Sequence, residues 1–297
     1  MAATQTIAFP SYPGITTTIQ VAGKPIKVHA VSTGTVAVKR NFMTRRGPGI
    51  FSKVNIILDS HYTEYLPIWV WIIDHPDGVI MVDTGEIDAV NNADHLAGEN
   101  PITRFINNSI CRFGVDAKDN LDLKLSEIGI RAEAVKLIAF THLHLDHTDG
   151  IRFFPKAEFI VNEYEYKHPY SNLPSTYPSW FRPNRVNYRK GQIEIFDSAH
   201  AITGDDRILY IPTPGHTRGH SSVVLRGDEY DLIFVGDTSY TQAQVLQDEL
   251  AGANIDYTLT RQTYARLMQY ASRRKSIYLP SHDPAAGDRL RDKLFLV

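Results

Sequence analysis

Short apolar runs recur along the chain, most of them ending at Gly, Pro, Asp, Asn or Ser. Runs of that length with turn residues at both ends predict strands. They fall at 27–34, 54–58, 67–73, 78–82, 135–140, 157–161, 193–196, 207–211, 221–225, 232–235 and 277–279. Asp74-His75-Pro76-Asp77-Gly78 between two of them has hairpin-turn chemistry. Helical spacing appears at two places. Asn120 caps a helix with Leu121, Leu125 and Ile128 on one face, and Gly129 stops it. Residues 258–274 carry Tyr264, Leu267, Met268 and Ala271 on another face. One or two helical turns are expected at 162–168. Residues 1–25 read as an irregular N-terminal arm punctuated by Pro and Gly. Residues 40–52 read as a mobile loop, 86–115 as a helical or lid-like insertion, and 169–192 as a long, ordered, aromatic-rich loop. Strands interleaved with helices predict a layered α/β fold, and the whole chain, 1–297, is expected to be one domain.

Composition narrows the function. The chain has 297 residues, 43% hydrophobic and 22% charged, as in an ordinary globular protein. A net charge of −2 offers no electrostatic footprint for nucleic acid or an anionic membrane. The longest apolar run is too short to span a bilayer, which needs roughly 20 residues. Residues 1–6 lack the pattern of a signal peptide, so a cytoplasmic location is expected. A single cysteine, Cys111, excludes an intramolecular disulfide and a thiolate-rich metal site. Cys111 itself reads as a buried small hydrophobe.

Candidate chemistry concentrates in Thr141-His142-Leu143-His144-Leu145-Asp146-His147. Three histidines and an aspartate stand within six residues. A helix would spread them around its surface, and a strand would put His147 on the face opposite the other three. A loop turning just after the 135–140 strand can aim them at adjacent points. Buried together without partners, such side chains would each carry a desolvation cost, which a metal ion removes jointly. Three further ligand candidates also follow predicted strands: His216 in Thr213-Pro214-Gly215-His216, Asp237 in Gly236-Asp237-Thr238-Ser239-Tyr240, and His282 in Pro280-Ser281-His282-Asp283. The pattern is that of a site built on the carboxyl ends of sheet strands. His220 reads as a structural histidine nearby. His29, His61, His75, His95, His168 and His200 show no spacing that argues for a role.

This set, with Asp83-Thr84-Gly85 after an earlier strand, resembles the metallo-β-lactamase superfamily over roughly residues 28–285. The resemblance implies a four-layer αβ/βα sandwich with a dinuclear metal site at the edge of two mixed sheets. It implies two Zn2+ ions, although iron, manganese or cobalt suits the same ligands. His142, His144 and His216 would hold one ion, Asp146, His147 and His282 the other, with Asp237 bridging. Asp83 would fix the ligand loop by hydrogen bonds. Tyr240, three residues after the bridging aspartate, and Asp149 before Gly150 make the chain most similar to the N-acyl-homoserine lactonases, the quorum-quenching enzymes. That subgroup implies opening of an acyl-homoserine lactone ring by a metal-bridging hydroxide. Asp146 would shuttle the proton and Tyr240 stabilise the oxyanion. An organophosphate or aryl-ester hydrolase of the same superfamily is the alternative. A small-molecule acyl lactone is the expected partner, with Phe51, Ile106, Tyr177, Trp180 and Phe181 as candidate walls of an acyl groove. Those aromatics, or the N-terminal arm, serve equally as a homodimer contact.

Overall fold

The computed structural model describes residues 9–193 and 195–297. The start of the expected arm, the reading of residues 1–6, and position 194 of the expected 193–196 strand lie outside the described residues. The first sheet has eight strands: β1 (Ile15–Val21), β2 (Lys24–Val38), β3 (Leu66–His75), β4 (Gly78–Val82), β5 (Cys111–Gly114), β6 (Val135–Ala139), β7 (Glu158–Asn162) and β8 (Asn184–Val186). Their order is β1-β2-β3-β4-β6-β7-β8, with β5 also paired to β2. The β1–β4 end is antiparallel, and β4, β6, β7 and β8 run parallel. The second sheet has six strands: β9 (Arg189–Ile193), β10 (Phe196–Ala201), β11 (Ile208–Pro212), β12 (Ser221–Arg226), β13 (Asp231–Gly236) and β14 (Ser276–Pro280). Here β13 and β14 are parallel and the other pairs antiparallel. The helices are α1 (Arg40–Met43), α2 (Gly49–Leu58), α3 (Pro101–Ile110), α4 (Leu121–Glu127), α5 (Leu145–Thr148), α6 (Glu163–Lys167), α7 (Gln242–Gln247), α8 (Tyr257–Arg273) and α9 (Ala286–Asp292).

Strand alternation builds the layers. On β3, Trp69, Trp71 and Ile73 face a core shared with Tyr210, Phe234 and Leu279 of the second sheet. Trp71 and Phe234 meet across it, ring centres 5.5 Å apart. The intervening Val70 and Ile72 join Leu121 and Leu125 of α4 on the outer face. Both faces of β3 are therefore apolar, which is why it reads as an unbroken hydrophobic run. The second sheet's outer face packs Val224, Ile233 and Tyr278 under Tyr264 and Leu267 of α8. Helix, sheet, sheet and helix form the expected αβ/βα sandwich. No helix among the described residues is long and apolar enough to cross a membrane.

Most predicted strands stand within a residue or two, and 27–34 is the middle of the longer β2. Several expectations need correction. Part of the supposed arm, Ile15–Val21, pairs along its length with β2. The supposed loop at 40–52 holds α1 and the start of α2. The 54–58 run is helical rather than a strand: Ser52 and Ile56 point inward at helical spacing while Ile57 and Leu58 stay exposed. Lys53 anchors this helix by donating to the carbonyls of Gly252, Ala253 and Asn254 at 2.7–2.9 Å. The 86–115 segment contains α3 but also β5, and 169–192 contains β8 and most of β9. Of the expected 193–196 strand, Ile193 ends β9 and Phe196 begins β10. Asn120 sits at the α4 N-cap position, yet its side chain pairs with Asp88 instead of capping.

Candidate metal centre

All seven expected ligands converge at one edge of the sandwich, each just beyond a strand end. Strand β6 delivers His142 and His144. The chain then turns into the single-turn helix α5, which carries Asp146 and His147. The sequence had argued only for a loop. Strands β11, β13 and β14 of the other sheet deliver His216, Asp237 and His282. Gly236 permits this approach: its φ is +53°, and a Cβ there would lie 2.6 Å from Thr141.

Hydrogen bonds at the outer ring nitrogens fix the tautomers of His142, His144, His147 and His282. Asp83, itself at φ +64°, accepts from Thr141 N at 2.7 Å, from Thr141 Oγ1 at 2.8 Å and from His147 Nδ1 at 2.8 Å. Thr141 Oγ1, with its proton on Asp83, accepts from His142 Nδ1 at 3.1 Å. His282 Nδ1 donates to Pro67 O at 2.9 Å, and His144 Nε2 to Tyr170 O at 3.1 Å. Lone pairs therefore remain on Nε2 of His142, His147 and His282 and on Nδ1 of His144.

These lone pairs face one another. His144 Nδ1 lies 2.9 Å from His142 Nε2 and 3.1 Å from His216 Nε2. Neither His142 nor His144 has a proton left for the contact between them, so the arrangement is repulsive without a cation. The spacing approaches the ~3.3 Å edge of a tetrahedron with ~2.0–2.1 Å metal–nitrogen bonds. The other group is alike: His282 Nε2 is 3.4 Å from Asp146 Oδ2 and 3.3 Å from Asp237 Oδ1, and His147 Nε2 is 3.4 Å from Asp237 Oδ1. His147 Nε2 and Asp237 Oδ1 are buried without hydrogen-bond partners. Both clusters, His142–His144–His216 and Asp146–His147–His282, can hold a metal ion.

Electrostatics agree with the geometry. Burial and the neighbouring imidazoles hold His142 well below the usual histidine range. Burial also dominates at His216 and lowers it well below that range. Burial opposes charge on His147, yet Asp83, Asp237 and Asp146 outweigh it and push that histidine upward. Its Nε2 thus demands positive charge, from a proton or a metal cation. His220 lies behind the cluster. Burial lowers it to about 3, and the neutral ring accepts from Asp237 N at 3.2 Å. Sequence reasoning missed Glu165, a buried residue with no informative spacing. It accepts from Leu143 N at 3.3 Å and Thr217 Oγ1 at 2.7 Å, binding the two ligand loops together.

A cavity of about 430 Å³ opens onto the cluster. Asp146 and Tyr240 sit where polar floor meets apolar wall, with the Tyr240 ring stacked on His282 at 5.6 Å. Of the five expected wall residues, Ile106 alone lines the cavity. Tyr177 and Phe181 belong to the outer core of the first sheet, Trp180 packs near Phe159, and Phe51 is exposed. The walls come instead from Val36 and Val38 of β2, Phe42 of α1, Ile57 of α2 and Leu173. Cys111 is a half-buried wall residue rather than a fully buried one.

Comparison with known proteins agrees with the fold. An N-acyl homoserine lactonase of Bacillus cereus is 28% identical over 235 residues, 78% of this chain and 87% of that protein. The N-acyl homoserine lactonase AttM of Rhizobium radiobacter is 26% identical over 277 residues, 88% of this chain and 94% of its own length. A solved N-acyl homoserine lactone hydrolase, with N-hexanoyl-L-homoserine at its catalytic metal center, shares the fold. Its TM-score is 0.69 at 19% identity, covering 90% of this chain and 94% of that one. The family model described as metallo-beta-lactamase superfamily matches residues 64–282, and the chain belongs to that superfamily.

Proposed function

We propose that this protein is a dizinc hydrolase that opens the lactone ring of N-acyl-homoserine lactones. The observation that carries the reading is the apolar cavity ending at a polar floor of Asp146, Tyr240 and the histidine–aspartate cluster. An acyl chain suits the walls, and a lactone suits the floor. The names of the relatives above support the same substrate class.

Zn2+ is the proposed metal, because the donors are imidazole and carboxylate in a four-coordinate spacing. His142 Nε2, His144 Nδ1 and His216 Nε2 would hold one ion, and Asp146, His147 and His282 the other. Asp237 would serve both: its Oδ2 faces His216 Nε2 at 3.6 Å, and its Oδ1 faces His147 and His282. When bound, the pair supplies Lewis acidity and a water made acidic enough to ionise near neutral pH. The chain does the rest. Burial and the neighbouring Asp237 hold the Tyr240 phenol well above its usual range, so it keeps its proton. It donates that O–H to the substrate carbonyl oxygen as negative charge develops there. Ring opening adds water across the acyl C–O bond. The carboxylate of Asp146, facing both cluster and cavity, carries the proton that water loses to the departing ring oxygen.

The test is a substrate panel on metal-loaded protein. Acyl-homoserine lactones should gain one water by mass, with kcat/KM rising as the acyl chain lengthens, because each buried methylene is worth about 0.8 kcal/mol. Turnover of phosphotriesters or aryl esters alone would reject the lactone assignment. Tyr240→Phe should keep the metal content and lose roughly 10²-fold in lactone kcat; an unchanged rate removes Tyr240 from the mechanism.

A further inference from the structure

A second cluster of metal-ligand side chains lies outside the seven residues above, formed by Glu86, His95 and Asp149. Glu86 and Asp149 are 0% and 2% exposed, and the His95 side chain is 7% exposed. One oxygen of each carboxylate is accounted for. Glu86 Oε1 accepts from Ile87 N at 3.0 Å, and Asp149 Oδ1 from Arg152 Nη2 at 3.1 Å. The other atoms converge. Glu86 Oε2, Asp149 Oδ2 and His95 Nε2 lie within 4.8 Å of one another, all buried and without hydrogen-bond partners. His95 Nε2 and Asp149 Oδ2 are 2.7 Å apart, yet not aligned as donor and acceptor. His147 Nε2 and Asp237 Oδ1 in the main cluster carry the same signature of two facing, buried, unpaired ligand atoms.

We propose that Glu86, His95 and Asp149 form a third cation site, taking a divalent transition-metal ion such as Zn2+ or Mn2+. Two carboxylate oxygens and one imidazole nitrogen suit ions of that hardness. Buried ligand atoms left unpaired are costly, and a shared cation satisfies all three at once. Access is available through a cavity of about 330 Å³ whose wall includes His95 with Asn91, Asn107 and Arg104. The ion would brace the main centre without entering it. Asp149 N donates to Gly85 O, and Thr84 N to His147 O, so the loop bearing Asp83 and the helix bearing His147 meet here. The ion would tie that junction to the His95 segment. The competing occupant is a proton shared by the two carboxyl groups.

The test needs no turnover. Wild-type protein reconstituted with Zn2+ and freed of excess metal should hold one more ion per chain than His95→Ala or Glu86→Gln. The variants' folding would be checked by circular dichroism. Equal metal counts in wild type and a folded variant would assign the cluster to the shared proton and overturn the proposal. If neither variant folds, anomalous scattering from Zn2+-loaded wild-type crystals decides: a peak among Glu86, His95 and Asp149 supports the site, and its absence there removes it. The comparison is a difference of one ion, so it stands apart from the lactone assignment, which the substrate panel alone decides.

Discussion

Asp83 receives three hydrogen bonds on one carboxylate, and the one from His147 Nδ1 decides which nitrogen of that ring is left bare. Asn tolerates the left-handed backbone that Asp83 adopts, so Asp83→Asn should fold. Its amide N–H2 would face two donors, Thr141 Oγ1 and His147 Nδ1. His147 would then turn to the other tautomer and present N–H to the metal. The expected outcome is a 10–100-fold loss of metal affinity with little change in the circular dichroism spectrum. Metal titration checks it, and wild-type affinity would remove Asp83 from the support of the site. At this scale the sequence was legible where ligands crowd together. His142 to His147 betray themselves by density, and His216, Asp237 and His282 by following strands. Glu165, Glu86 and His95 did not, because each is a lone polar residue until the fold gathers them, and Asp149 was legible only as part of the motif that follows His147.

Elements were legible where one force decided them. Strand β3, apolar on both faces, could be read directly, as could α8 with its single buried stripe. Asp256 starts α8 by accepting from Thr258 N and Leu259 N, both at 3.1 Å. Asp256→Ala should therefore cost about 0.5–2 kcal/mol. Urea unfolding would measure it, and no shift in midpoint would mean the cap is replaced by solvent. Helix α2 was not legible. Its Val, Ile and Leu favour a strand locally, and its conformation is set by the distant carbonyls of 252–254 that Lys53 reaches. The cavity walls were hidden for a related reason. Val36 and Val38 lie in the second half of β2, beyond the bulge between Ser32 and Thr35, where the apolar run stops looking like a strand.

Across the whole molecule, the cluster draws ligands from both sheets: residues 142–147 from the first, and His216, Asp237 and His282 from the second. A metal bound there would be a fastening between halves, and a chelator should destabilise the entire fold. At a thousandfold excess over Kd, binding contributes ~4 kcal/mol, so the unfolding midpoint should fall by roughly 10 °C on metal removal. A scan unchanged by chelation would mean that the ligands do not couple the sheets. One contact gives this fastening a second input. His144 is oriented by the carbonyl of Tyr170, and Tyr170 and Leu173 also line the cavity. An acyl chain that ordered this segment would steady His144, and by reciprocity an ion held by His144 would favour the ordered segment by the same factor. Tail and metal would then be thermodynamically linked through one backbone carbonyl. A long-chain hydrolysis product should slow metal loss to a chelator more than a short-chain one, and equal rates would show the two sites to be independent.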